Sequence, residues 1–277
     1  MTLLLRATLL VAVLLLAAWP PRPAYAQLNV QSPGVTKGEW EVETHSTFQT
    51  GLPRTDADDG PPVRQGHELE IGYGVTDFWQ FELGMTAQRP VDGSFEASGI
   101  EFENTFELGT IPRWSATFAL FATLALGVGG ADDPDAAELG PIVQFGDDKS
   151  GSLILNGFFE KTFGENRDKG LGFEYAAQLR LPLAGKFALG AELFGEIEDI
   201  DNAPSFEDTE LRAGPMLYLS FGDDDDKAKG KPGDDDKDKS LKSGGKDPEI
   251  EIGAGVLLGA TDATPDYTFK CDFEITF

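Results

Sequence analysis

From Lys37 onward the chain alternates apolar and polar residues with a period of two. The clearest case is Tyr267 to Phe277. There Tyr267, Phe269, Cys271, Phe273, Ile275 and Phe277 interleave with Thr268, Lys270, Asp272, Glu274 and Thr276. Successive side chains of a strand point to opposite faces, so this stretch has one apolar and one polar face, which a helix cannot produce. A tilted membrane strand needs about 9–11 residues, and this segment is long enough.

The same alternation predicts eleven further strands. They run through Trp40–Phe48, Glu68–Val75, Trp79–Ala87, Ile100–Leu108, Trp114–Leu126, Leu139–Phe145, Leu153–Phe159, Leu171–Leu181, Phe187–Leu193, Leu211–Phe221 and Ile250–Leu258. Short turns at Thr76-Asp77, Thr110–Arg113, Asp147–Gly151 and Ala184–Lys186 alternate with longer polar connections. An even strand count with short turns at one end and longer loops at the other predicts an all-β fold, a closed antiparallel transmembrane barrel of about 12 strands. A soluble sandwich is the competing arrangement. It would bury tryptophan in mid-strand, whereas Trp40, Trp79 and Trp114 each begin a strand at one end. Tyr73, Phe187, Phe221 and Phe277 fall at the same level, as an aromatic girdle at the lipid headgroups requires.

The first residues point to export. Arg6, an apolar run from Leu9 to Ala18 and the Ala24-Tyr25-Ala26 tripeptide predict a signal peptide over 1–26 and a barrel over 27–277. An uncleaved N-terminal anchor is the alternative, and the shortness of the apolar run disfavours it. The 22 basic and 48 acidic side chains give a net charge of −26, and loss of Arg6 and Arg22 with the leader makes it −28. Such a surface repels nucleic acid, so none is expected as a partner. The lone cysteine excludes an internal disulfide and reads as a small hydrophobe on the apolar face. Residues 222–247 carry many Asp and Lys and almost nothing apolar. They read as a disordered, solvated insert on the periplasmic side rather than a calcium- or partner-binding tail, because EF-hand spacing is absent.

With the apolar register against lipid, the polar register must line the lumen. That register holds Glu41, Glu43, Glu68, Glu70, Glu82, Glu101, Glu103, Glu107, Glu174, Glu192, Glu196 and Glu251, with Arg180, Arg212 and Lys270 as its main bases. The excess of acids predicts a pore that favours cations. Pairing of these acids with the bases, or simple hydration, is the alternative. Closure of the barrel joins the last strand to the first, which would let Lys270 approach Glu41 or Glu43. No catalytic spacing, phosphate loop or His/Cys metal cluster occurs, so no enzyme and no cofactor are expected. A hydrolase built on a lumen-facing His45 and a serine is the weakest reading.

Two stretches resemble known families. Tyr267–Phe277 resembles the C-terminal signal that hands Gram-negative barrels to the barrel assembly machinery. Ile71-Gly-Tyr-Gly-Val-Thr-Asp-Phe-Trp-Gln-Phe-Glu-Leu-Gly84 resembles the strand-turn-strand of outer-membrane transporters associated with the meta pathway of phenol degradation. That resemblance implies uptake of small, often aromatic, compounds and carries no signature binding residues. The expected function is passage of small solutes, with a closed structural or adhesive barrel as the alternative. The expected partners are outer-membrane lipid, the assembly machinery and small solutes.

Overall fold

The computed structural model describes residues 28–53, 62–128, 135–147, 149–164, 167, 170–222 and 248–277. The expected leader and, apart from Gly222, the Asp/Lys-rich insert lie outside the described residues.

Twelve antiparallel strands form one closed barrel in which each strand pairs with its neighbours in sequence and β1 pairs with β12. They are β1 (Trp40–Thr50), β2 (Val63–Gly74), β3 (Trp79–Pro90), β4 (Glu96–Ile111), β5 (Ala116–Gly127), β6 (Asp135–Asp147), β7 (Gly151–Phe163), β8 (Gly172–Pro182), β9 (Phe187–Ile197), β10 (Glu210–Phe221), β11 (Glu249–Gly259) and β12 (Tyr267–Thr276). The seam runs from Glu41 opposite Thr276 to Thr50 opposite Tyr267. Trp40 and Phe277 exchange backbone hydrogen bonds of 3.0 Å in both directions at its end. Closure leaves no strand edge unpaired, which a hydrocarbon environment demands.

The side-chain distribution is inverted relative to a water-soluble protein. Leu124, Leu155, Phe159, Leu189, Leu217, Leu258 and Phe269 are exposed on the outside. Glu70, Glu192, Lys270 and Arg212 are buried inside, each 4% exposed or less. Cys271 is exposed on the outer face, as its register predicts.

The structure corrects the sequence reading at Trp114. Instead of opening β5, it sits in a 3-10 turn, Pro112–Trp114, and is exposed. Pro112 fixes φ for that turn, and Ser115 takes a left-handed φ of 47°, so the extended chain restarts only at Ala116. A bulge between Glu107 and Gly109, with Gly109 at φ 118°, shifts the register just before it.

The lipid-facing assignment is testable at the middle of a strand. Leu217→Arg, on the outer face of β10, should lower the stability of the folded barrel in bilayers by about 2–4 kcal/mol. Urea titration of the protein refolded into lipid vesicles measures this.

Candidate functional site

Because the sheet closes, the polar face of every strand turns inward, and the strand register decides which side chains meet. Glu251, Glu274, Glu43 and Glu70 lie directly opposite one another on β11, β12, β1 and β2. The row continues through Gly84 on β3 to Glu101 on β4. A parallel row sets Glu82 opposite Glu103, and Glu138 lies opposite Glu160. Like charges directly opposite on a sheet repel, so these rows cost stability unless something compensates them.

The main lumen bases, Arg180, Arg212 and Lys270, lie on β8, β10 and β12. Arg180 forks onto Glu251, with Nη1 2.7 Å from Oε1, and its guanidinium lies 4.6 Å from the centre of the Tyr218 ring. Arg212 pairs with Glu210. Lys270 Nζ donates to Glu192 Oε2 at 2.8 Å and pairs with Asp272 Oδ2 at 2.9 Å. Tyr218 Oη donates to Glu192 Oε1 at 2.7 Å, and Gln178 Nε2 does so at 3.0 Å. The expected approach of Lys270 to Glu41 or Glu43 is therefore overturned. Lys270 lies opposite Thr47, well up the seam from Glu41, where Glu192 and Asp272 reach it first.

On the acidic side, Glu41 accepts from Gln80 Nε2 at 2.7 Å. His45 is buried with Nδ1 3.0 Å from Asp272 Oδ1 and Nε2 3.1 Å from Glu43 Oε2 and 3.4 Å from Glu70 Oε2. Both ring nitrogens are thus held by carboxylates, and no serine is bonded to either among the described residues. Glu68, Glu82, Glu101 and Glu103 are buried in the barrel wall.

One feature of the interior had no signal in the alternation. Residues 28–36, ahead of β1, run inside the barrel. Leu28 packs with Phe194 and Leu257, and Val30 packs against Phe121, Ile142, Ile154 and Phe158. Gln31 N donates to Asn156 Oδ1 at 2.8 Å, and Asn156 Nδ2 donates back to Gln31 O at 2.9 Å. Gln31 Nε2 donates to Glu103 Oε2 at 3.0 Å, and Val35 N donates to Glu107 Oε2 at 3.3 Å. Gly74 lets the segment pass close against the end of β2, since a Cβ there would lie 1.9 Å from Thr36 O.

This segment divides the lumen, because Asn29 and Gln31 line the cavities on both sides of it. One cavity, of about 730 Å³, reaches from Glu41, Glu43 and Glu82 to Lys270 and Asp272. The other, of about 100 Å³, is bounded by Glu101, Glu138, Glu174, Glu196, Glu210 and Arg212. The lumen is also less uniformly polar than its register suggests, with Phe121, Phe158, Phe194 and Met216 facing in.

Several aromatic residues lie at the end where β1 starts and β12 finishes. The Trp40 and Tyr73 rings are 4.7 Å apart, and Trp79 stacks on Phe106 while its Nε1 donates to Asn104 Oδ1 at 3.1 Å. Lys186 Nζ lies 4.7 Å from the centre of the Phe221 ring. Phe187 and Phe277 are half exposed.

The architecture has solved counterparts. An outer membrane channel from Pseudomonas putida F1 is similar at a TM-score of 0.53 and 11% identity, covering 91% of this chain and 99% of that one. The NanC porin is similar at 0.52 and 7% identity, over 85% and 98%. The fold is that of a porin-like outer-membrane barrel. Its apolar exterior is the surface that such a barrel presents to lipid. No family model matches the chain, and no curated protein matches it.

Removing one partner of a buried ion pair leaves its counter-charge stranded. Lys270→Met in the barrel should cost about 3–5 kcal/mol in the same urea titration. Adding Glu192→Gln and Asp272→Asn to that variant should recover part of the loss.

Proposed function

We propose that the barrel is a channel for small solutes, with a lumen that prefers cations and a path narrowed by its own residues 28–36. The observation that carries this reading is the segregation of charge. Arg180, Arg212 and Lys270 are committed to Glu251, Glu210, Glu192 and Asp272, while Glu41, Glu43 and Glu82 border the larger cavity. A low-dielectric wall focuses the field of those acids into the cavity, raising the local cation concentration. The cavity volume falls in the range of small-molecule sites.

Uptake of small aromatic compounds, which the Ile71–Gly84 resemblance implies, is a second reading of the cargo. The inward-facing Phe121, Phe158 and Phe194 favour it, since withdrawal of Leu28 and Val30 would uncover an apolar arc. We also assign Trp40, Tyr73, Trp79, Trp114, Phe187, Phe221 and Phe277 to the periplasmic membrane interface. The Tyr267–Phe277 strand is assigned to recognition by the assembly machinery, and residues 1–26 to a cleaved leader. Phe221 and Glu249, which flank the Asp/Lys-rich insert, end their strands on the Trp40 side, which supports a periplasmic position for it.

Planar-bilayer recording in a salt gradient tests the electrostatic reading. The unmodified protein should show a cation-selective reversal potential, and Glu41→Gln with Glu82→Gln should move it toward zero. An unmoved potential removes the claim. A closed structural barrel is tested at the segment itself. Asn156→Ala removes both hydrogen bonds to Gln31, worth about 1–3 kcal/mol together, which should raise the open fraction roughly 5- to 150-fold. If neither protein carries current, the barrel is closed.

A further inference from the structure

The carboxylates of Glu68, Glu101 and Glu103 converge inside the wall formed by β2, β3 and β4. One oxygen from each lies within 4.8 Å of the others, and all three side chains are buried. Glu68 is the decisive member. It is 4% exposed, and neither of its carboxylate oxygens meets an amide, hydroxyl or basic donor among the described residues. Glu70 Oε1, next along the same face of β2, is likewise buried without one. Leaving a buried carboxylate unsatisfied costs several kcal/mol, so a native arrangement that does so calls for a missing partner.

Gly84 supplies the room. It faces inward on β3 between Glu70 and Glu101, and a Cβ there would lie 3.2 Å from Glu101 Cβ, 3.4 Å from Glu68 Oε1 and 3.7 Å from Glu70 Cγ. The absence of a side chain at this one position lets carboxylates from β2 and β4 reach over β3. The surrounding neutral and basic groups reach the rim of the cluster. Gln31 Nε2 contacts Glu103 Oε2, and His45 Nε2 lies 3.4 Å from Glu70 Oε2, so the oxygens of Glu68 are left to something else.

We propose that Glu68, Glu101 and Glu103, with Glu70 beside them, bind a divalent hard cation, Ca²⁺. An all-oxygen, multiply charged donor set selects hard cations over those that prefer nitrogen or sulfur ligands. Ligands on opposite sides of Ca²⁺ are about 4.8 Å apart, so these oxygens fit within one coordination sphere. Mg²⁺ instead keeps several of its waters and makes poor use of a dedicated protein cage. The ion would tie β2 to β4 across β3 and cancel part of the repulsion along the carboxylate row. The site reaches the smaller cavity through Glu101 and Glu103, which gives the ion a route in.

Isothermal titration of the full chain, refolded in detergent and stripped with EGTA, tests this with Ca²⁺ as the probe. One saturable Ca²⁺ site is expected beyond any weak binding by exposed acids. Glu68→Gln and Glu103→Gln should each weaken it tenfold or more, while Asp199→Asn, in an exposed loop, should leave it unchanged. Amides at these positions relieve repulsion, and the heat-modifiable mobility of the folded barrel on gels verifies that the variants fold. An arm without variants follows thermal unfolding of the unmodified protein, in which Ca²⁺ should raise the midpoint and equimolar Mg²⁺ should raise it less. Absence of a Ca²⁺ site, or equal affinity in Glu68→Gln and the unmodified chain, overturns the proposal. The reversal-potential test rests on Glu41 and Glu82, so ion selectivity and Ca²⁺ binding can fail independently.

Discussion

Everything in this protein follows from closing a single sheet whose outer face must satisfy hydrocarbon. Once β1 meets β12, no backbone group is left without a partner at a sheet edge, and each strand commits its apolar register outward. The polar register then has nowhere to go but inward. Twelve strands enclose a space too wide to be filled by wall side chains alone and too narrow to hold them all in bulk water. Charges that would be hydrated on a soluble protein must be resolved against one another in that tube.

The barrel resolves them unevenly. On the side of β8 to β12 each base has a carboxylate, and the Lys270, Glu192 and Asp272 group is further tied by Tyr218 and His45. On the side of β1 to β4 the register sets acid against acid, with no lysine or arginine among the residues that pair β1 with β2 and β3 with β4, and the same happens where Glu174, Glu196 and Glu210 meet across β8, β9 and β10. A field of one sign along one wall is expensive for folding and useful for a channel, because it attracts the ion that relieves it. The proposed mobile cations in the larger cavity and the proposed fixed cation over Gly84 would both answer that same demand.

Residues 28–36 answer a different problem. The β5 to β7 wall turns Phe121, Ile142, Ile154 and Phe158 inward, and an apolar surface of that size facing water would be unfavourable. Val30 covers it, Leu28 packs on Phe194 and Leu257 beside it, and Gln31 satisfies Asn156 and reaches Glu103. One strap thus links the apolar and acidic walls and separates two cavities. Its hold is made of a few hydrogen bonds and the apolar side chains of Leu28, Val30 and Pro33.

The fold and the facing of its residues were legible in the sequence because alternation is a local property. Two neighbouring residues of a strand point to opposite sides whatever the rest of the chain does, so Phe269 faces out and Lys270 in without reference to any partner. Where a turn and a bulge broke the local rule, at Gly109 to Ser115, the reading of Trp114 failed with it. The partners were not legible. Glu192 lies 78 residues from Lys270, and Glu68 and Glu101 come together only because β2, β3 and β4 align with a glycine between them. Nothing periodic marks Leu28 to Thr36, since that segment is shaped by the cavity it fills. The sequence by itself determined a twelve-strand barrel with an acidic interior. Only the tertiary structure decided which acids are paired, which converge and what occupies the lumen, because strand register and closure are long-range properties that no local pattern encodes.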